Sequence, residues 1–143
     1  MTLSALVAYL TTFPTTIPEI KAVEFGDEEE ILNRQNTRIQ YPCLWVETPT
    51  VTLISEPPGR LFAFGLTVLH NVPKDDNRMA IERRSQALDI AEKAWRKLED
   101  DEENGLFQLE STRTEGDPIQ KWSGDRDTGF RFEVRLITGR EDC

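Results

Sequence analysis

Apolar residues recur at helical spacing along the first 13 residues of the chain. They stand at positions i, i+3, i+4, i+7 and i+10, as Leu3, Leu6, Val7, Leu10 and Phe13. Because residues at this spacing share one side of an α-helix, the pattern predicts a short amphipathic helix that packs on a sheet. Thr2 or Ser4 can provide its N-cap, and Pro14 ends it.

A second helical pattern covers residues 77–103 and predicts the main helix. Its apolar stripe consists of Ile81, Leu88, Ala91, Trp95 and Leu98. Acidic and amide side chains at 75–77 can cap its start, and the Asn-Gly pair at 104–105 is a typical stop signal. The acidic run at 99–103 lies at the unfavourable end of the helix dipole. It is interpreted as a solvated helix end, with a charged docking patch as the alternative.

Period-two alternation predicts strands in the remainder of the chain. The strongest strand covers residues 61–72 and is largely apolar on both faces, which places it centrally in a sheet or at an interface. One face carries Phe62, Phe64, Leu66 and Val68, and the other carries Leu61, Ala63, Gly65, Thr67 and Leu69. The last strand, residues 130–138, alternates apolar with charged side chains. Shorter strands are predicted at 20–25, 41–47, 51–54, 106–113 and 118–122.

This order of elements predicts an α+β fold. The expected architecture is an antiparallel sheet, with the N-terminal helix and the one long helix packed on one of its faces. No repeat or linker divides the 143 residues, so a single domain over 1–143 is expected. Residues 26–40 are polar and aperiodic, and they are predicted to form a flexible exposed loop.

The charge balance excludes several classes of partner. With 26 acidic and 17 basic residues, the formal net charge is −9, which is unsuited to nucleic acid or to an anionic membrane surface. No apolar run approaches the ~20 residues of a membrane helix, and the first residues lack the basic region of a secretory signal. We therefore expect a soluble, cytoplasmic protein that meets basic or neutral protein partners. Cys43 and Cys143 are expected to be free thiols.

The triplet Asp127-Thr128-Gly129 matches the signature of aspartic proteases, but its surroundings argue against that activity. A catalytic aspartate needs a shielded site where two carboxylates share a proton, and its motif follows a buried strand. Here the preceding residues 124–126 are polar turn sequence, and only 14 residues follow Gly129. The triplet is therefore predicted to be part of a turn over 123–129, in which glycine can supply a positive φ.

Other catalytic and metal-binding patterns are also missing from the sequence. His70 is the one histidine, which removes most general-base and triad schemes, and a hydrogen-bonded strand-end role is expected for it. No phosphate loop, nucleophile elbow or dinucleotide fingerprint is present. An enzyme would require convergence of residues from separate elements: Asp117, Asp125, Asp127, Glu110, His70 and Cys43. We expect no catalytic residues, no metal and no cofactor.

The order of segments from residue 41 to 138 resembles the phage tail-terminator and tail-completion families. These include the tail terminators of lambda-like phages and related minor tail proteins of other siphophages and myophages. After the N-terminal helix, a Tyr-Pro strand start (YPCLWV, 41–46) precedes the long apolar strand 61–72, which runs into the long helix 77–103. A short strand (FQLE, 107–110) and a polar turn before the last alternating strand, 125–136, complete the pattern.

The resemblance implies a structural protein without enzymatic activity. Members form a ring, typically a hexamer, on the last ring of the tail tube, where they stop tube growth and offer the surface that joins the head. The implied partners are other copies of the chain, the tail tube protein and a head-completion protein. The protein would be in the cytoplasm during assembly and in the virion tail afterwards.

Three groups of residues are the candidates for subunit or tube contacts. They come from the strand 61–72, the acidic helix end and the loop 26–40: Phe62, Phe64, Leu66, Glu99, Asp100, Asp101, Glu102, Glu103, Asn33, Arg34 and Arg38. Tube capping requires different surfaces for the tube and for the neighbouring subunit. The alternative is a small cytoplasmic α+β protein-binding adaptor without catalytic activity, which would not form a ring.

Overall fold

In the residues that the structure describes, the protein folds as a seven-stranded sheet with three helices on one of its faces. A computed structural model describes residues 1–27, 40–72, 77–111, 113–122 and 127–139. The helices are α1 (Leu3–Thr11), α2 (Phe13–Thr16) and α3 (Asn77–Glu103). The strands are β1 (Ala22–Phe25), β2 (Cys43–Val46), β3 (Thr50–Ser55), β4 (Pro58–Asn71), β5 (Gln108–Leu109), β6 (Gly116–Trp122) and β7 (Asp127–Gly139).

The N-terminal helix forms as its apolar spacing predicts. The Thr2 hydroxyl caps α1 by accepting a hydrogen bond from the Ala5 N–H at 3.1 Å. Leu6 and Leu10 are buried, and Phe13 is buried at the start of α2. The predicted stop at Pro14 is only partly right, because Pro14 sits in the first turn of α2, where its fixed φ and missing N–H are tolerated.

The sheet is built around two long central strands. Across the middle its order is β1-β2-β4-β7-β5, while β3 pairs with β4 and β6 pairs with β7. β4 and β7 pair antiparallel from Gly59↔Gly139 to Asn71↔Asp127. The predicted α+β class is confirmed, and the sheet is mostly antiparallel. One pair departs from the expected antiparallel pattern, because β1 and β2 run parallel.

Both faces of β4 are apolar because each face of the sheet carries a cluster of buried side chains. The even-numbered residues of β4 from Phe62 to Val68 face the helices and form the main core with α1, α2 and α3. A smaller cluster on the opposite face contains Cys43, Trp45 and Leu69. The predicted placement of the helices on one face is therefore confirmed, and β4 is central as its two apolar faces indicate.

The long helix matches its predicted bounds, and Ala91, Trp95 and Leu98 of its predicted stripe lie in the core or pack against it, but Ile81 does not. Ala87, Ile90, Ala94 and Leu98 face the core, whereas Ile81 is 61% exposed. Ile81 precedes Leu98 by 17 positions, which turns it about 100° away from the core-facing side. The predicted stop is confirmed by Gly105, whose φ is +80°, and by the Leu106 N–H bonded to the Asp101 carbonyl at 3.1 Å.

The Asp-Thr-Gly triplet belongs to a strand rather than to the predicted turn. β7 already begins at Asp127, and Gly129 pairs with Leu69 in the ladder. A Cβ at Gly129 would lie 2.2 Å from the Val68 carbonyl oxygen, so glycine is needed here for close strand approach. The Thr128 hydroxyl is buried and accepts a hydrogen bond from Arg84 Nε at 3.1 Å.

Two other strand predictions change in extent. The strand predicted at 106–113 is reduced to β5, which has two residues. The predicted final strand extends from 130–138 to Asp127–Gly139. The predicted flexible loop begins at Gly26, whose φ is +139°, and most of it, residues 28–39, lies outside the described residues.

Candidate interaction surface

Three residues predicted for a subunit contact are core residues instead. Phe62 and Leu66 are completely buried, and Phe64 is 5% exposed. Their side chains lie on the face of β4 that α1 and α3 cover, so they present no surface to a second chain. The prediction of an interface at these positions is wrong, because the helices cover this face of the apolar strand within the monomer.

The acidic end of α3 is partly engaged inside the monomer. Asp101 accepts hydrogen bonds from the Tyr9 hydroxyl at 2.6 Å and from Lys97 Nζ at 3.0 Å. Burial, and then the bond to Asp101, raise the pKa of Tyr9 above its usual value. Glu102 accepts the backbone N–H of Leu109 and thereby ties α3 to β5.

The other members of the acidic run remain at the surface. Asp100 and Glu103 are exposed, and Glu99 is half-buried. These three carboxylates are the part of the predicted charged patch that a partner can reach. The predicted contacts Asn33, Arg34 and Arg38 lie outside the described residues.

Cys43 and His70, two of the residues that an enzyme would have to bring together, lie on opposite faces of the sheet. Cys43 is paired with Leu69, so its side chain lies on the face opposite to that of the next residue, His70. A Cys43–His70 dyad is therefore ruled out by the geometry. Burial, and then the charge of Arg83, lower the pKa of His70, and its Nε2 lies 3.4 Å from Arg83 Nη1.

Two of the four remaining acidic candidates, Glu110 and Asp117, have side chains within the described residues. Glu110 is paired with Arg135, and Asp117 is opposite Arg131 at the edge of the sheet. Asp125 lies outside the described residues, as does the side chain of Asp127. Across the described ranges, no three His, Cys, Asp or Glu side chains come together as a metal site would require.

One end of the domain collects most of the exposed large apolar side chains of the described residues. This end lies where β4 begins and β7 finishes, and the Met1 amino group donates to the Gly139 carbonyl there at 3.4 Å. The exposed fractions are 46% for Leu3, 44% for Val51, 77% for Leu53 and 46% for Leu106. We call these four residues the apolar pole. The fifth exposed apolar residue, Ile81, lies near the start of α3 at the other end.

The elements at the pole fix the positions of these four residues. Val51 is paired with Phe62, and Leu53 with Arg60, whose Nη1 donates to the Met1 carbonyl at 2.9 Å. α1 starts two residues after Met1, which brings Leu3 to the same end. Leu106 directly follows the stop of α3 and precedes β5. Local structure therefore places apolar side chains from three separate segments, α1, β3 and the turn after α3, around one end of the sheet.

A groove of about 650 Å³ opens at the pole beside α1. Its lining is mostly small or apolar: Met1, Ala5, Ala8, Tyr9, Thr12, Leu106, Thr138 and Gly139. The Thr138 hydroxyl is buried and has no hydrogen-bond partner in the described part of the chain.

The strand β3 forms an unprotected sheet edge at the same pole. Among the described strands it pairs only with β4, and five of its six residues are exposed. Its sequence, TVTLIS, contains no charge, in a chain of which 30% is charged. Natural edge strands are usually protected by charges, prolines, bulges or shortness, because open backbone groups recruit other strands.

The other described edges carry such protection. β1 contains Glu24, and β6 contains Asp117 and Pro118. β5 contains no charge or proline, but at two residues it is a much shorter edge than β3. The contrast marks β3 as the edge that is suited to contact with another chain. The sequence predicts this strand at 51–54 but not its place at an open edge, for which the uncharged stretch 48–55 is the signal.

An ion pair holds the start of β3 against the sheet. Arg131 Nη2 lies 2.8 Å from Glu47 Oε2, and the Glu47 N–H donates to the Gly65 carbonyl at 3.0 Å. A Cβ at Gly65 would lie 1.4 Å from Glu47 Oε2, so this glycine gives the ion pair room to cross β4. The chain that leads from β2 into β3 is therefore anchored at Glu47 to β4 and β7.

Comparison with known proteins gives no relative from which to transfer a function: no family model matches the chain, and no curated protein or solved structure is significantly similar to it. None of the helices within the described ranges is long and apolar enough to cross a membrane.

Proposed function

We propose that this protein is a structural subunit of a phage or prophage tail. It assembles with copies of itself into a ring on the end of the tail tube and presents the surface to which the head joins. The observation that carries the proposal is the unprotected edge strand β3 within the apolar pole. The segment pattern that resembles tail-terminator proteins supports the same function.

The energetics of the pole favour a subunit contact. Removing apolar surface from water contributes about 25 cal/mol per Å², so side chains as exposed as Leu53 gain when another chain covers them. Open backbone groups along β3 gain hydrogen-bond partners in the same contact. An interface of this composition holds a protein assembly together, whereas it offers no group suited to acid–base or nucleophilic chemistry.

The distribution of charge supports association between like copies. With a net charge of −9, two copies repel each other across most of their surfaces. β3 carries no charge and is therefore a place where two copies can meet without this repulsion. The exposed carboxylates of Asp100 and Glu103 are then available to a partner of a different kind, such as a basic surface on the tube or head.

An adaptor that binds an unrelated protein is the alternative, and it would use the same pole for a foreign chain. The uncharged strand favours the self-assembling function, because an adaptor for a basic partner would place carboxylates at its contact edge.

Electron microscopy of tail tubes tests the proposed function. Tubes polymerised from the major tail protein of the same genome are mixed with this protein, which carries a small gold label. We expect label at one end of each tube, and we expect pre-capped tubes to stop elongating when more tube protein is added. Label distributed along the tube walls, or continued growth of labelled tubes, would contradict the proposal. A tube protein from an unrelated phage serves as the control.

A further inference from the structure

The two edges of the sheet at the apolar pole are complementary to each other. We propose that β3 of one copy pairs antiparallel with residues 106–110 of the next copy, so that one sheet continues from subunit to subunit. This inference rests on the proposed function, because it specifies the contact that closes the ring. The partner is a second copy of this chain, in the same orientation as the first.

The directions of the strands allow this continuation. β3 runs antiparallel to β4, β4 antiparallel to β7, and β7 antiparallel to β5. β3 and β5 therefore run in opposite directions within one subunit. When a second copy is placed beside the first without being turned over, its β5 meets β3 as an antiparallel neighbour, which is the stronger type of pairing.

The two edges also lie at the same level of the sheet. Thr52 is paired with Leu61, Leu61 with Ile137, and Ile137 with Gln108. These four residues form one row, with Thr52 at one edge and Gln108 at the other. A lateral translation of one copy past the next therefore brings the Thr52 edge to the Gln108 edge without a shift along the strands.

Charge and polarity match across the proposed contact. β3 is uncharged, and so are residues 106–109, with the sequence LFQL. The next residue, Glu110, is paired with Arg135, and Glu102 has to release the Leu109 N–H, which it accepts in the monomer, when β3 pairs there. Both edges carry exposed apolar side chains, Val51 and Leu53 on one and Leu106 on the other. Copies with a net charge of −9 would thus meet through two strand segments, 50–55 and 106–109, that carry no charged residue of their own.

Pairing between two different edges would cover more of the exposed apolar side chains of the pole than a two-fold β3–β3 contact would. A two-fold dimer would cover Val51 and Leu53 but leave Leu106 exposed on both copies. A contact between different edges covers both sets, and each subunit keeps one free edge for the next neighbour. Such heterologous contacts close into a ring when the rotation between subunits permits it.

Disulfide trapping tests this pairing. Thr52 and Gln108 are exposed and are replaced by cysteine in the full chain (T52C with Q108C), with Cys143 changed to serine to remove the terminal thiol. Each single variant and a control double variant with T52C and E82C are oxidised in parallel. Glu82 has a 65% exposed side chain on α3, near the other end of the domain. Circular dichroism and light scattering are recorded for every variant before oxidation.

We expect a ladder of covalent multimers up to the ring from T52C with Q108C, and at least ten-fold less crosslinking from the single variants and the control. Dimers from T52C alone would show two-fold β3 pairing and overturn the inference. A variant that has the ring mass but gives no ladder would also overturn the inference, while the ring and the proposed function would stand. A protein that stays monomeric with and without tail tubes, and gives no ladder, would contradict both proposals.

Discussion

Replacing Leu53 with aspartate (L53D) is expected to raise the concentration needed for self-assembly by at least about 100-fold. Leu53 is 77% exposed in the monomer, so it is free to contribute its apolar surface to a contact. Burial of a leucine side chain is worth about 1.5–3 kcal/mol, and each 1.4 kcal/mol changes an equilibrium constant about tenfold. A carboxylate in the contact adds the cost of burying an unpaired charge and the repulsion between acidic copies.

Sedimentation velocity over a concentration series measures this effect, and a matched variant provides the control. Ile81 is also apolar and 61% exposed, but it lies at the opposite end of the domain, so I81D should assemble like the parent protein. Both variants should keep the parent melting temperature within a few degrees, because neither side chain belongs to the core. Equal loss of assembly in L53D and I81D would mean that added charge, and not the pole, controls association.

Replacing Phe62 with alanine (F62A) is expected to lower the free energy of unfolding by about 3–5 kcal/mol, while L53A changes it by less than about 0.5 kcal/mol. Phe62 is completely buried between the sheet and the helices, and truncation there removes apolar burial and leaves a cavity. L53A costs little stability because most of the Leu53 side chain already faces water in the folded monomer.

Urea denaturation followed by tryptophan fluorescence compares the two variants at a concentration at which the parent is monomeric. F62A and L53A compare the stability cost of a truncation at a core position on β4 with that at a surface position on the neighbouring strand β3. If F62A instead kept the parent stability and lost only assembly, Phe62 would be an interface residue, as its sequence pattern alone allows. The burial of Phe62 by α1 and α3 would then be incorrect.

Local periodicity predicted the regular elements of this fold well. The bounds of α3 follow from its apolar spacing and from the Asn-Gly stop, both of which act within a few residues. β4 was identified as central because both of its faces are apolar. The N-cap at Thr2 likewise depends only on local chemistry and is seen in the structure.

Choices between equivalent surfaces could not be made from the sequence. Phe62 and Leu61 begin two apolar faces of β4 that look alike in the pattern, and only the docking of the helices determines which face is buried. Ile81 fits a loosely drawn apolar stripe, but packing selects a stripe that is turned away from it. Which face is buried depends on contacts between segments far apart in the chain, and the periodicity of a single sequence carries no information about those contacts.

The candidate surface escaped prediction for a related reason. Long apolar runs and charge clusters are the strongest contact signals in the sequence, but in this fold the apolar run is core and part of the acidic cluster is bonded within the monomer. Val51 and Leu53 were predicted only as part of a short strand. Their importance depends on β3 being an outer strand at the pole, and strand order is a property of the whole sheet.

The measurement that tests the central claim most directly is the solution mass of the unmodified protein. Light scattering is recorded over a concentration series at low and at high salt. The account predicts a closed oligomer several times the 16.4 kDa chain mass, six times for a hexamer. Salt should favour this oligomer, because it screens the repulsion between copies with a net charge of −9. A strict monomer at every concentration and at both salt levels would contradict self-assembly through the apolar pole.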